Sequence, residues 1–231
     1  MKAQRLRFRY SLGRAACHLG QRDLVAGWEQ ACKAAGLSLA YSEGRRPAPQ
    51  ISIAAPLPQG VTSDCELLDV VLALRVSTQD ALVRIRPELP DGIDASSVDE
   101  VGVNAPSLQS QVRWAEYDVT VGTIDLAIVR GSIYRVLDAK SLPTEYRREK
   151  KVRVYDLRPL IMALELTPGN DVEAAIRMRL RAEPDRTARA DQVIAELGLP
   201  DPHRIHRTRL VLEEVSAVLL ASRRLHATGE D

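Results

Sequence analysis

RLRFRYSLGRAACHLGQRDLVAGWEQACKAAG, residues 5–36, carries two periods in succession, and the change from one to the other sets the fold class. From Arg5 to Tyr10 the apolar Leu6, Phe8 and Tyr10 alternate with Arg5, Arg7 and Arg9, the pattern of a half-buried strand. From Arg22 to Ala35 the residues Leu24, Trp28, Ala31, Cys32 and Ala35 fall on one helical stripe, and Gly36 stands where a C-terminal cap glycine belongs. Working outward, two β-prone runs flank a proline-rich loop, and a strand over Glu66 to Leu74 turns Leu68, Val70 and Leu72 one way. Ser77 or Thr78 can cap a helix from Gln79 to Arg86 that Pro87 ends, and a strand follows near Ile93 to Val103. The order β-α-β-β-α-β is that of the ferredoxin-like split βαβ unit.

After Asn104-Ala105-Pro106-Ser107 the order repeats. Gln111 to Val121 reads as a strand, Thr123 to Leu137 as mostly helical, and Thr144 to Arg148 with Val152 to Tyr155 as a basic hairpin. Asp156 to Leu164 fits neither period. Ala174 to Arg181 is the clearest strand, Ala190 to Leu197 a short helix closed by Gly198, and Ile205 to Leu212 a last strand. The expectation is therefore an α+β protein of two packed ferredoxin-like units with antiparallel sheets. The divisions are 1–104 with the proline-rich loop, 105–214 with the basic hairpin, and a helical tail over 215–231, centred on Ser216 to Leu225.

The 231 residues suffice for one large domain or two ordinary ones, and 45% hydrophobic with 27% charged residues is a globular composition. The N-terminus runs straight into a strand, with no signal-like apolar region, and no segment nears the roughly 20 apolar residues of a membrane helix. A cytoplasmic protein with no membrane partner is expected. Cys17, Cys32 and Cys65 are odd in number and widely spaced, which disfavours a disulfide framework or a cysteine metal centre. A net charge of +1 conceals segregation: Lys140, Arg147, Arg148, Lys150, Lys151, Arg153 and Arg158 crowd one segment. That face, not the average, governs phosphate affinity.

Several features could carry binding or chemistry. The rows Arg5, Arg7, Arg9 and Arg177, Arg179, Arg181 either line an open sheet face for nucleic acid or pair with Asp64, Glu66 or Asp69. Pro47, Pro49, Pro56 and Pro58 stiffen a loop that carries Arg45 and Arg46, and the hairpin tip holds Arg147, Arg148, Lys150 and Lys151. Two basic sites suit RNA phosphates, with Arg158 beside them. Asp156 is either a carboxylate oriented by Arg158 for acid–base work or a cap before Pro159. Glu43 is either an acid or base or part of a turn at Gly44. His203 and His206, three apart on a strand, point to opposite faces and do not chelate one metal ion. No phosphate loop, nucleophile elbow or zinc motif occurs.

RLRFRYSLGRAACHLGQRDLVAGWEQACKAAGLSLAYSEGRRPAPQISIAAPLPQGVTSDCELLDVVL, with NAPSLQSQVRWAEYDV, VYDLRPLI and RIHRTRLVLEE, resembles the radical SAM-linked family, a bacterial domain of unknown function. The resemblance runs from Arg5 to about Glu213, and Ser42, Glu43, Gly44, Pro47, Pro49, Asp156, Arg158 and Pro159 match its motifs. It departs at Gln21, Arg22 and Asp23, where the family has His-Leu-Asp, and at Arg45 and Arg46 in the loop. The resemblance implies a radical SAM protein as partner. That partner would hold the iron–sulfur cluster and S-adenosylmethionine, since this chain has no CxxxCxxC and needs no cofactor. The expected function is an accessory component that recognises RNA or a ribonucleoprotein and has no catalysis alone. The alternatives are a stand-alone RNA-processing or RNA-modifying enzyme, with Asp156 and Glu43 at its site, and a protein-binding adaptor.

Overall fold

The computed structural model describes residues 2–122, 125–148, 151–170 and 173–213, with backbone alone at 146–148, 151–153 and 168–170. The fold is α+β. In chain order its elements are β1 (Gln4–Leu12), α1 (Gln21–Ala34), β2 (Ile51–Ile53), β3 (Thr62–Leu72), α2 (Thr78–Ile85), β4 (Ile93–Val101), α3 (Leu108–Gln111), β5 (Val112–Val121) and α4 (Leu126–Asp138). They continue with β6 (Pro143–Arg148), β7 (Lys151–Asp156), β8 (Ile161–Asn170), β9 (Glu173–Glu183), β10 (Arg186–Thr187), α5 (Ala190–Leu197) and β11 (Arg204–Leu212).

The alternation in β1 does what its period demands. Leu6, Phe8, Tyr10 and Leu12 are buried, and Phe8 and Tyr10 each meet the Trp28 ring of α1 at a centroid distance of 5.3 Å. α1 ends as the glycine predicts: Gly36 takes φ +64°, and the amide of Leu37 returns to the carbonyl of Cys32. Ser77 caps α2 by accepting the Asp80 amide, and Gly198 ends α5 at φ +70°.

β1 lies between β3 and β4, antiparallel to both, and β2 pairs with the opposite edge of β3. β5 lies between β9 and β11, again antiparallel to both, and β8 pairs with the far edge of β9. Among the described residues these strands form one nine-stranded sheet, β6 and β7 standing apart as a hairpin. The halves join where His206 and Arg207 of β11 run parallel to Thr62 and Ser63 of β3. The sheet is mixed, and mostly antiparallel.

One expectation needs correction. The run before the proline loop is not a strand: Leu39 and Tyr41 make isolated bridges to Leu72 and Pro49, and only Ile51–Ile53 joins the ladder. Prolines at 47, 49, 56 and 58 supply no N–H to extend it. Asp156 to Leu164 resolves into a single tight turn, Arg158–Leu160, followed by β8. The hydrophobic clusters do not part at residue 104, because Ala54, Cys65 and Leu67 pack with the second half. The expected tail helix, Ser216 to Leu225, lies outside the described residues.

Candidate functional site

In the second half the sheet has two unlike faces. Ala115, Tyr117, Val119 and Val121 of β5 pack with Val129 and Ile133 of α4 and Val193 of α5. The alternate residues Trp114, Glu116, Asp118 and Thr120 are half-buried on the other face. There β9 contributes Arg177, which pairs with Asp118 at 3.1 Å, and Arg179, which pairs with Glu116 at 2.8 Å. Arg179 and Arg209, from the strands either side of β5, both lie over the Trp114 indole, at 4.7 and 5.3 Å from its centroid. Arg209 makes no ion pair among the described residues and is exposed. A half-buried indole beside two guanidinium groups has the chemistry to stack a base and meet a phosphate.

On the helix-covered face, a strap from Ala54 to Val61 and the β10–α5 segment enclose a cavity of about 500 Å³. Its floor is built around Arg207, whose side chain is 2% exposed. Arg207 donates to both carboxylate oxygens of Glu66, at 2.8 and 2.5 Å, to the carbonyl of Ala55 at 2.6 Å, and to the Tyr117 hydroxyl at 3.4 Å. Burial alone would push the guanidinium pKa down, but the Glu66 carboxylate and Tyr117 outweigh it and hold Arg207 protonated. The Ala55 bond fixes the strap.

The arginine row of β1 does not line an open face. Asp69 receives both Arg5 and Arg7, and Arg5 also donates to the carbonyls of Ala105 and Pro106. That pairing holds the connecting segment against the first half, and only Arg9 of the row is exposed. Arg158, half-buried, donates its guanidinium to the carbonyls of Leu137 and Ile161. Asp156 accepts the amides of Leu142 at 2.7 Å and Arg158 at 3.0 Å. Those bonds, the Leu142 amide foremost, lower its pKa, so the carboxylate works as a cap before Pro159.

Arg45 and Arg46 are exposed and without ion pairs among the described residues, as is Glu43. Ser42 accepts the Ala48 amide, and Gly44 at φ +122° lets the chain reverse between Pro47, Pro49 and the preceding bridge. Arg147, Arg148 and Lys151 sit on β6 and β7 with backbone alone described, and Lys150 lies outside the described residues. Cys32 and Cys65 are buried and Cys17 half-buried, all free; burial pushes the Cys32 thiol up to about 12. Among the described residues no three His, Cys, Asp or Glu side chains gather to hold a metal ion, and no helix is long and apolar enough to cross a membrane.

Sequence reasoning missed two groupings. Trp114 drew no notice, because the arginines that flank it come from β9 and β11. The second is a row of three polar groups at the junction of the halves: Thr62 Oγ1 to His206 Nδ1 at 2.8 Å, and His206 Nε2 to Asp64 at 2.9 Å.

The model of a family described as an uncharacterized protein conserved in bacteria, DUF2344, matches residues 5–190. The chain belongs to that family. No curated protein matches it. Among solved structures, a Cbf5-Nop10-Gar1 complex aligns over 90% of the chain at 12% identity with a TM-score of 0.50. An archaeal box H/ACA sRNP Nop10-Cbf5 complex aligns over 90% at 11% identity with a TM-score of 0.41. This DUF2344 chain spans about half, 48%, of each of those chains, and the first likeness is one of fold.

Proposed function

We propose that this DUF2344 protein is an accessory RNA-binding component, without catalysis of its own, that presents RNA or a ribonucleoprotein to a radical SAM enzyme carried on a separate chain. The supporting observation is the half-buried Trp114 ring with the Arg179 and Arg209 guanidinium groups 4.7 and 5.3 Å from its centroid, on the sheet face opposite Tyr117. Single-stranded RNA is gripped by stacking its bases on such rings and by meeting its phosphates with arginine. Arg45 and Arg46, free on a proline-stiffened loop, add a second phosphate contact. In this reading the pairing order β4-β1-β3-β2, repeated as β11-β5-β9-β8, is that of two ferredoxin-like units fused along one sheet. The iron–sulfur cluster and S-adenosylmethionine belong to the partner. Affinity capture of the chain from its own cells, followed by identification of bound protein and RNA, tests the proposal. Recovery of a radical SAM protein together with RNA supports it, and recovery of neither contradicts it.

A stand-alone enzyme is the second reading, favoured by the row Thr62, His206, Asp64, where a hydroxyl faces an imidazole that a carboxylate orients. Asp64 is 74% exposed, and Thr62 and His206 are partners in the parallel pairing, which equally suits a clamp between halves. RNA turnover by the purified chain that His206→Gln abolishes would establish this reading.

A further inference from the structure

We propose that the cavity between the Ala54–Val61 strap and the β10–α5 segment is a binding site for a nucleoside unit, a neutral base with its ribose. It lies on the face that carries Tyr117, opposite Trp114, so it is a site separate from the Trp114 face and its occupancy does not depend on that face. Size comes first: about 500 Å³ falls within the range of roughly 300–1,000 Å³ typical of small-ligand sites. Charge narrows the ligand. The charged groups in the wall are matched, Arg207 by Glu66 and Arg189 by Asp191 at 2.8 Å, so the interior offers no net charge to an anion. A neutral group enters at lower desolvation cost than a phosphate.

The lining selects for a flat ring with polar edges. Ala54, Leu57, Val61 and Ala182 are apolar walls, and the Tyr117 ring forms part of the floor. Two polar groups in the cavity have unused capacity. The half-buried Gln109 carboxamide makes no hydrogen bond among the described residues, and it offers both a donor and an acceptor. The Tyr117 hydroxyl accepts from Arg207, and its own proton remains to be donated. A mixed donor–acceptor edge on an otherwise apolar ring is the chemistry of a nucleobase, and the Asp191 carboxylate in the lining, though paired with Arg189 through both oxygens, keeps lone pairs for ribose hydroxyls. The site is preformed, because the bond from Arg207 to the Ala55 carbonyl fixes the strap before any ligand arrives.

The unit can come from a free nucleotide or from an unpaired residue of RNA, and the experiment separates the sources. The full chain is titrated with each common nucleoside, with each nucleoside monophosphate, with inorganic phosphate, and with a short single-stranded RNA carrying a fluorescent adenine analogue. The variant is Thr187→Trp, an exposed rim position where a large ring fills the mouth, and its melting midpoint serves as the folding control. Saturable binding of nucleosides but not phosphate, weakened about tenfold or more when the indole of Thr187→Trp occupies the mouth, supports the site. A response from the analogue-bearing RNA that Thr187→Trp also removes assigns the source to RNA; a response from free nucleosides alone assigns it to nucleotides. Absence of binding by every nucleoside and by the RNA analogue, or binding that a folded Thr187→Trp leaves unchanged, overturns it. Trp114→Ala separates this site from the RNA-binding proposal, since it should weaken RNA affinity and leave nucleoside binding intact.

Discussion

Replacing Glu66 with alanine strands the Arg207 guanidinium in a site where both side chains are 2% exposed. Two hydrogen bonds to the carboxylate vanish, leaving only the Ala55 carbonyl and the long contact to the Tyr117 hydroxyl. A buried charge deprived of its partner typically costs about 3–5 kcal/mol. For a domain of this size that is a fall in melting midpoint of roughly 6–20 °C. Removing both charges is a different matter. Glu66→Leu with Arg207→Met leaves no unpaired charge and loses the bond to the Ala55 carbonyl, so the double variant should lie within about 1–2 kcal/mol of the parent. Urea unfolding at neutral pH, with a common slope verified for all variants, measures both. A cost below about 1 kcal/mol for Glu66→Ala, or a double variant as unstable as the single, refutes the reasoning, because the pair would then not be buried and mutually dependent.

Further expectations concern caps, backbone and RNA. Ser77→Ala removes the acceptor for the Asp80 amide at the start of α2 and should cost about 1 kcal/mol in thermal or urea unfolding. The Asp156 pKa is lowered on folding, so its contribution is present above the unfolded carboxyl value and is lost as pH falls through the folded one. Asp156→Ala should accordingly destabilise at pH 7, and the difference from the parent should shrink below about pH 4 in a pH series of melting midpoints. Gly92 has φ +81°, and an added Cβ would meet the Ala16 amide nitrogen at 2.7 Å; Gly198 has φ +70° with open space around it. Gly92→Ala should therefore cost clearly more than Gly198→Ala, which carries only the left-handed penalty of about 1–2 kcal/mol. Trp114→Ala should weaken binding of single-stranded RNA about tenfold while leaving the salt slope unchanged. Arg45→Ala with Arg46→Ala should instead flatten that slope.

Much of the fold was legible because each element signals itself locally. The alternation of Leu6, Phe8 and Tyr10, the cap at Ser77 and the left-handed glycines 36 and 198 all involve residues a few positions apart. The joining of the halves was not legible, since it depends on Thr62 and His206 meeting across 144 positions of chain. The same distance hid the sites. The alternation of Arg5 and Arg7 left open whether they faced RNA or a carboxylate, and the answer, Asp69, lies on a neighbouring strand. Trp114 gains its arginine neighbours only because strand order sets Arg179 and Arg209 on either side of β5. Parity on β5, β9 and β11 would have found it, had the strand order been in hand. Asp156 and Arg158 stand two apart, the spacing of an oriented carboxylate in an extended chain, yet the backbone groups of Leu142, Leu137 and Ile161 claim them.

The most direct measurement is the affinity of the purified wild-type chain for short single-stranded RNA over a series of salt concentrations. The account predicts saturable binding whose logarithm falls linearly with the logarithm of salt, with a slope of about −0.7 for each phosphate neutralised. Absence of binding at low salt, or binding indifferent to salt, would contradict it.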